Sequence, residues 1–283
     1  MKTMKKIALA AGLIAAFGCS SSEQQEKVLL RGAPTKGLVY THERTERVKG
    51  YLDIQADNVL NRQPLEKDER RVWEDEILDV QEGRIMRLRR KTLEWNLKRQ
   101  KPGEQALTDV PRTTIGKSFV LQRTDLGTEY EEAEGLAVDE LKMNLLGALE
   151  AIVSPPADPV SVGTTWELDG ERLVEMFGGE GSSRPLKVRD VTGTGTLQAV
   201  DPASRVALIA VKLKAQGAFR VLLDVDVTVD MTATIRFDLA AGRPLGFEAH
   251  ADGKIAGEID RKGRIAYYNG QFAFDAKGSN KYR

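Results

Sequence analysis

Few residues in this 283-residue chain have types and spacings that do chemistry. Its two histidines, His42 and His250, lie far apart, and neither sits in a metal-ligand spacing. No His-Glu-x-x-His motif, no Gly-x-Ser-x-Gly elbow and no Ser-x-x-Lys pair occurs. Thr192-Gly193-Thr194-Gly195-Thr196 has the wrong glycine spacing for a phosphate-binding loop and reads as strand. Asp224, Asp226 and Asp230 invite a calcium reading, but calcium takes about six to eight oxygens from a closely turned backbone. Carboxylates two residues apart on a strand stand about 7 Å from each other, so these three read as a solvated face. Arg87, Arg89, Arg90 and Lys91 form a basic cluster that Glu66, Asp68, Glu69, Glu74, Asp75, Glu76 and Asp79 can balance as a salt-bridged surface. Its sharper reading is contact with anionic lipid headgroups. Cys19 is the only cysteine, so no disulfide forms within one chain. Nothing here composes a catalytic site, a metal site or a cofactor site.

The elements that would position these residues are mostly strands. Phe219, Val221, Leu223, Val225, Val227, Val229, Met231, Ala233, Ile235, Phe237 and Leu239 are all apolar, and only Leu222 breaks the polar residues between them. Period 2 marks a strand with one buried face. Residues 219–239 therefore read as one long strand, curved or bent by a bulge, whose apolar face must be covered. Phe219, Val221, Leu223, Val225, Val227 and Val229 are its candidate ligand-binding side chains. Ala240 to Pro244, Asp252-Gly253 and Lys262-Gly263 read as turns, and Asp201 to Ser204 as a hairpin turn between residues 186–200 and 205–213. Leu141, Leu145, Leu149 and Ile152 share one face of a helix over 139–152. Pro155, Pro156 and Pro159 end it. Residues 170–177 suggest a second short helix. Residues 71–80 and 84–97 read as a hairpin turning at Glu82-Gly83, with one long charged helix as the rival, because Val72, Trp73, Ile77, Ile85 and Trp95 favour β structure. Residues 38–54 and 119–121 are further strands. Trp73, Trp95 and Trp166 read as core or rim aromatics.

The fold class is mainly β: long curved antiparallel sheets in two sheet-rich halves, half-barrel-like, with one connecting helix. The boundaries are a signal peptide over 1–18, a lipidated cysteine and flexible tether over 19–35, an N-terminal half over 36–154 and a C-terminal meander over 155–283. Lys plus Arg and Asp plus Glu both number 42, which argues against a nucleic-acid partner. At 30% charged and 41% hydrophobic residues, the chain has the makings of a packed core.

The N-terminus says where the protein lives. Lys2, Lys5 and Lys6 precede an apolar run over 7–17, the layout of a secretory signal. That run is too short to cross a bilayer, which takes about 20 residues. Ala16-Phe17-Gly18-Cys19 resembles the lipobox of bacterial lipoproteins, though Ala16 stands where leucine is usual. The resemblance implies lipidation of Cys19, cleavage before it, and, with Ser20 next, residence at the outer membrane. Pro159-Val160-Ser161-Val162-Gly163-Thr164-Thr165-Trp166 resembles a motif of β-rich bacterial envelope proteins that carries no known catalytic residues. A looser similarity is to the half-barrel carriers of the Lol system, which hold acyl chains in a concave sheet. The expectation is a membrane-anchored, non-catalytic binding or assembly module. A carrier of lipid or another hydrophobic ligand is the alternative, and a hydrolase with an Asp/Glu pair is the third reading. The implied partners are the membrane, through the lipid anchor, and an envelope protein or lipid ligand.

Overall fold

The computed structural model describes residues 26–30, 34–101, 103–104, 106–124, 127–141, 155–177, 186–219, 222–261 and 264–283. Its strands are β1 (Val39–Ala56), β2 (Val59–Pro64), β3 (Lys67–Gln81), β4 (Arg84–Gln100), β5 (Leu107–Asp109), β6 (Ser118–Thr124), β7 (Gly127–Glu131), β8 (Thr165–Glu167), β9 (Leu186–Asp201), β10 (Val206–Phe219), β11 (Leu222–Asp238), β12 (Arg243–Arg261) and β13 (Arg264–Tyr282). Two short helices are described, α1 (Val138–Leu141) and α2 (Gly170–Phe177). All thirteen strands form one antiparallel sheet in the order β7-β6-β4-β3-β1-β13-β12-β11-β10-β9-β8, with β2 also on β1 and β5 on β4. The sheet is open, and its edges are the short strands β7 and β8. Short edges limit the unpaired backbone offered to other chains.

The hairpin reading of 71–97 holds. Glu82 and Gly83 both have positive φ, 50° and 73°, as a two-residue hairpin turn requires. The 201–204 turn also holds: the Asp201 carboxylate accepts hydrogen bonds from Ala203 N (2.9 Å) and Ser204 Oγ (2.6 Å). So do the 170–177 helix and the strands at 38–54 and 119–121. Of the helix expected over 139–152, the described part, α1, is helical, and 142–152 lies outside the described residues.

Four expectations are corrected. The long strand expected over 219–239 is β11, but it starts later, at Leu222, and Phe219 instead ends β10. A register shift at Ala218/Phe219 puts odd-numbered residues of both strands on one face, so the alternation runs unbroken through a chain reversal. Asp252-Gly253 is no turn but the middle of β12. Gly253 serves packing, because a methyl group there would overlap the Phe272 ring on β13. The two halves are not joined by linker alone: β1 pairs with β13 from Tyr40↔Tyr282 to Ala56↔Ala266. Finally, Val28 pairs with Val160 and Leu30 is fully buried, so Val28 and Leu30 pack with the sheet and are no part of a flexible tether.

The larger core gathers Val28, Leu30, Val160 and α2 Leu173 over β9 to β12, including Ile209, Val211, Ile235 and Phe237. A second lies between β3, β4, β6 and α1 Leu141. A third joins Val225, Val227, Ile255 and Ile259, with Leu52, Leu65 and Phe272 packed against them. Within residues 159–166, Gly163 turns the chain at φ 89°, and the Trp166 ring occupies the place of a Gly195 Cβ, 2.5 Å from it.

Candidate functional site

Sheet register places two unlike arrays on the two faces of the strands around β1. On the face continuous with the apolar cores lies a buried set of charges and aromatic rings. Burial makes every member depend on a partner. Arg90 and Asp75 form a two-pronged pair (Nε–Oδ1 2.7 Å, Nη2–Oδ2 2.6 Å) with side chains 6% and 0% exposed. Glu46 and Glu69, directly opposite each other on β1 and β3, both accept from Lys67 Nζ, at 2.7 and 2.9 Å. Arg44 also pairs with Glu46 (2.5 Å), Arg71 pairs with Glu69 (3.0 Å), and Trp95 Nε1 donates to Glu69 at 2.6 Å. The Glu140 carboxylate of α1 accepts from Thr113 N (2.9 Å), Thr114 N (3.0 Å) and Thr114 Oγ1 (2.9 Å), which ties the helix to the loop after β5.

The cations also stack on rings. Arg90 lies 4.8 Å from the Trp73 ring centre, Arg71 5.7 Å from Trp73 and 4.9 Å from Trp95, and Arg112 4.5 Å from Trp95. The series Arg90–Trp73–Arg71–Trp95–Arg112 is a ladder of alternating cations and rings, each contact contributing about 0.5–2 kcal/mol. His42 packs on Trp73 at 4.3 Å and hydrogen-bonds Asn280 through Nδ1.

This packing sets the protonation states. Burial drives His42 down to about 4 despite its Asn280 bond, with Arg90 and Arg44 adding to the effect. Burial would raise Glu46, but Arg44, Lys67 and Arg71 more than offset it and hold the carboxyl at about 2. Burial lowers Arg71, against the pull of Glu69 and Glu46. Burial alone would lower Arg90 too, but Asp75 reverses the sign. The carboxylates are spent on partners, so this array is built to hold the N-terminal strands together rather than to move protons.

The opposite face is exposed and polar, and carries a groove of about 1030 Å³ lined from β4 to β9. Cross-strand register resolves its lining into rows. One row runs Lys98–Asp68–Arg47–Asp275–His250–Thr232–Lys212 over β4, β3, β1, β13, β12, β11 and β10. Its neighbour runs Asn96–Arg70–Thr45–Lys277–Glu248–Thr234. Most charges here pair internally: Arg47 with Asp68 (2.8 Å), His250 with Asp275 (2.8 Å), Lys277 with Glu248 (2.6 Å) and Arg70 with Glu43 (3.0 Å). The hydrogen bond to Asp275, helped by Asp252, raises the His250 pKa.

The residues singled out from sequence fall as follows. Val225 and Val227 are buried and Val229 is half-buried, packed on Ile255, Leu52 and Phe272 of the protein's own sheet. Phe219 ends β10 and Leu223 lies in β11, whereas Val221 and Cys19 lie outside the described residues. Asp226 pairs with Arg189 (2.8 Å) and Asp230 with Lys214 (3.5 Å), as a solvated face would. Among the described residues no group of three or more His, Cys, Asp or Glu is placed to hold a metal ion. Arg89 and Glu76 form the expected surface pair (3.1 Å), whereas Arg90 and Asp75 from the same clusters are buried. Sequence reasoning missed the ladder and the groove rows. The available signal was that Arg71, Trp73 and Asp75 alternate on one strand face, a polar set where an apolar one is the rule.

No family model matches the chain, and no curated protein matches it in sequence. Among solved structures, it resembles lipovitellin, from a study of its lipid–protein interactions, with 9% identity and a TM-score of 0.48 over 87% of this chain and 25% of that one. It therefore spans about a quarter of that protein's length. An outer membrane protein of Vibrio cholerae, OmpT with loop L8 deleted, aligns at 9% identity and a TM-score of 0.17 over 88% of this chain and all of that one. No helix among the described residues is long and apolar enough to cross a membrane, which says nothing of crossing by strands.

Proposed function

We propose that this protein is a lipid-anchored envelope module that binds a partner through the polar groove of its sheet and performs no catalysis. Lipidation at Cys19 and residence at the outer membrane follow from the lipobox resemblance. The observation that carries the binding role is the groove of about 1030 Å³, open to solvent and lined by residues of eight consecutive strands. A surface supported by so many paired strands is pre-organised, which lowers the cost of ordering it on binding.

The carrier reading is the second, since β9 to β12 present an apolar face, covered here by Val28, Leu30, Val160 and Leu173. For Val225 and Val227 to hold an acyl chain, they would have to exchange their packing on Ile255 and Leu52 for the ligand.

The test is expression of the full chain in a diderm bacterium fed an alkyne-tagged palmitate. Labelled protein in the outer membrane fraction is expected, and Cys19→Ser should abolish the label and release the protein from membranes. An unlabelled wild type would overturn the anchoring. Native mass spectrometry of the same preparation, released from detergent, addresses the carrier: one bound lipid per chain would favour it over the groove.

A further inference from the structure

We infer that the free edge of β2 docks a second copy of this chain, strand against strand. None of the residues of β2 lines the groove, so this is a separate surface.

β2 pairs with β1 alone. Leu65 N donates to Gly50 O (3.0 Å), and antiparallel bonding alternates from there, so Val59, Asn61 and Gln63 turn their backbone groups toward β1. Leu60 and Arg62 turn their N–H and C=O groups outward, where no strand among the described residues meets them. An unpaired edge is a template for another strand unless charge, proline or brevity blunts it. β5 and β8 have three residues each, and β7 carries Glu129 and Glu131. β2 has six residues and one charge, Arg62. Asp53 of β1 holds that guanidinium at 2.7 and 2.8 Å, and the group lies 4.0 Å over the Tyr51 ring. Pro64 blunts one end only. At the other end Val59 and Leu60, 67% and 62% exposed, are the most exposed large hydrophobic residues described.

The chain's own remaining segments do not suit this edge. Residues 142–152 carry helical spacing, 178–185 are rich in glycine and serine, and 20–25 are Ser-Ser-Ser-Glu-Gln-Gln. A second β2 does suit it. Two copies run antiparallel, with Asn61 facing Asn61, place Leu60 of each opposite Arg62 of the other. Both residues turn outward, so this register forms four backbone hydrogen bonds. The aliphatic stem of Arg62 then lies beside Leu60 of the other copy. A shift one way sets Arg62 against Arg62 and meets Pro64, which has no N–H. A shift the other way needs Asn58, which has φ 62° in the hairpin turn and is not extended. One register therefore pairs the outward groups of Leu60 and Arg62 and sets no charge against its like. A contact that is its own complement is what a two-fold dimer requires. Six residues bury less than the roughly 1,600 Å² of a standard interface, so the dimer is weak and dissociates on dilution.

The test uses the full chain carrying Cys19→Ser, so that an introduced cysteine is the only one. Asn61→Cys should give a disulfide-linked dimer on air oxidation, because position 61 faces itself in a non-hydrogen-bonded pair with Cα atoms about 4.5 Å apart. Leu60→Cys should not, since position 60 stands about 9 Å from its copy in this register. Lys254→Cys, exposed on the interior strand β12, should not link either. Sedimentation equilibrium of the Cys19→Ser chain should show a dimer that dissociates on dilution. Leu60→Lys sets two like-charge pairs with Arg62 across the two-fold and should weaken that dimer by about ten-fold or more. Circular dichroism of each variant separates lost pairing from lost folding. Linkage at Leu60→Cys as strong as at Asn61→Cys, linkage through Lys254→Cys, or a dimer indifferent to Leu60→Lys would each overturn the inference. So would a chain that stays monomeric up to about 1 mM, which would leave the edge to a foreign strand.

Discussion

Replacing Asp75 with alanine isolates the buried ladder. The Asp75 side chain is fully buried, that of Arg90 is 6% exposed, and the two share two short hydrogen bonds. Arg90 stays charged when its partner goes, because a guanidinium does not release its proton in proteins. Removing one partner of a buried pair costs about 3–5 kcal/mol, because the other charge remains out of water. The Trp73 Nε1 bond to Asp75, at 3.2 Å, is lost as well, but Trp73 is half-buried and water can take its place. The expected loss for Asp75→Ala is therefore about 4 kcal/mol, a large part of the roughly 5–15 kcal/mol that holds a typical domain folded. Urea unfolding followed by tryptophan fluorescence reads it directly. The double substitution Asp75→Leu, Arg90→Met should recover most of the loss and leave about 1 kcal/mol, chiefly the Arg90 stacking on Trp73. A single-mutant loss under about 1 kcal/mol, or a double mutant as unstable as the single, would refute the claim that the pair is desolvated and interdependent.

Two further predictions concern the same sheet. His42 takes up its proton near pH 6.5 when unfolded and only near 4 when folded, so between those values the unfolded state holds more protons. Stability should fall by about 3 kcal/mol as pH drops from 6.5 to 4, and His42→Gln should flatten that leg of a stability-against-pH curve. Below pH 4.5, protonation of Glu46, held at about 2, should remove more stability in the variant and wild type alike. Gly253→Ala should lower stability by about 1–3 kcal/mol through overlap with the Phe272 ring, and Phe272→Leu in the same chain should relieve it, as measured by thermal unfolding.

Much of the fold was legible because strand alternation is local. The hairpin at Glu82-Gly83, the turn at 201–204 and the helix at 170–177 all follow from spacing and turn chemistry within a dozen residues. Local signals also misled. The alternation read as starting at Phe219 runs back across a reversal, because a register shift preserves its parity, so the start of β11 was placed too early. Asp252-Gly253 has turn composition, yet its glycine makes room for a ring that arrives from β13. In both places the deciding contact belongs to another strand.

The same boundary separates what the chain determines alone from what its tertiary structure decides. The sequence by itself determines a mainly β domain, the buried face of β11, and the signal layout ahead of a lone cysteine. Those depend on side-chain order within one segment, where period 2 leaves little freedom. Which strands become neighbours is decided only by folding, since pairing β1 with β13 joins residues more than 200 positions apart. That pairing sets Arg47 of β1 beside Asp275 of β13 and so joins the two halves of the groove row. A one-residue slip in any ladder would carry one side of the row to the opposite face, because side chains alternate with period 2. The groove and the ladder are thus properties of register, and register exists only between strands.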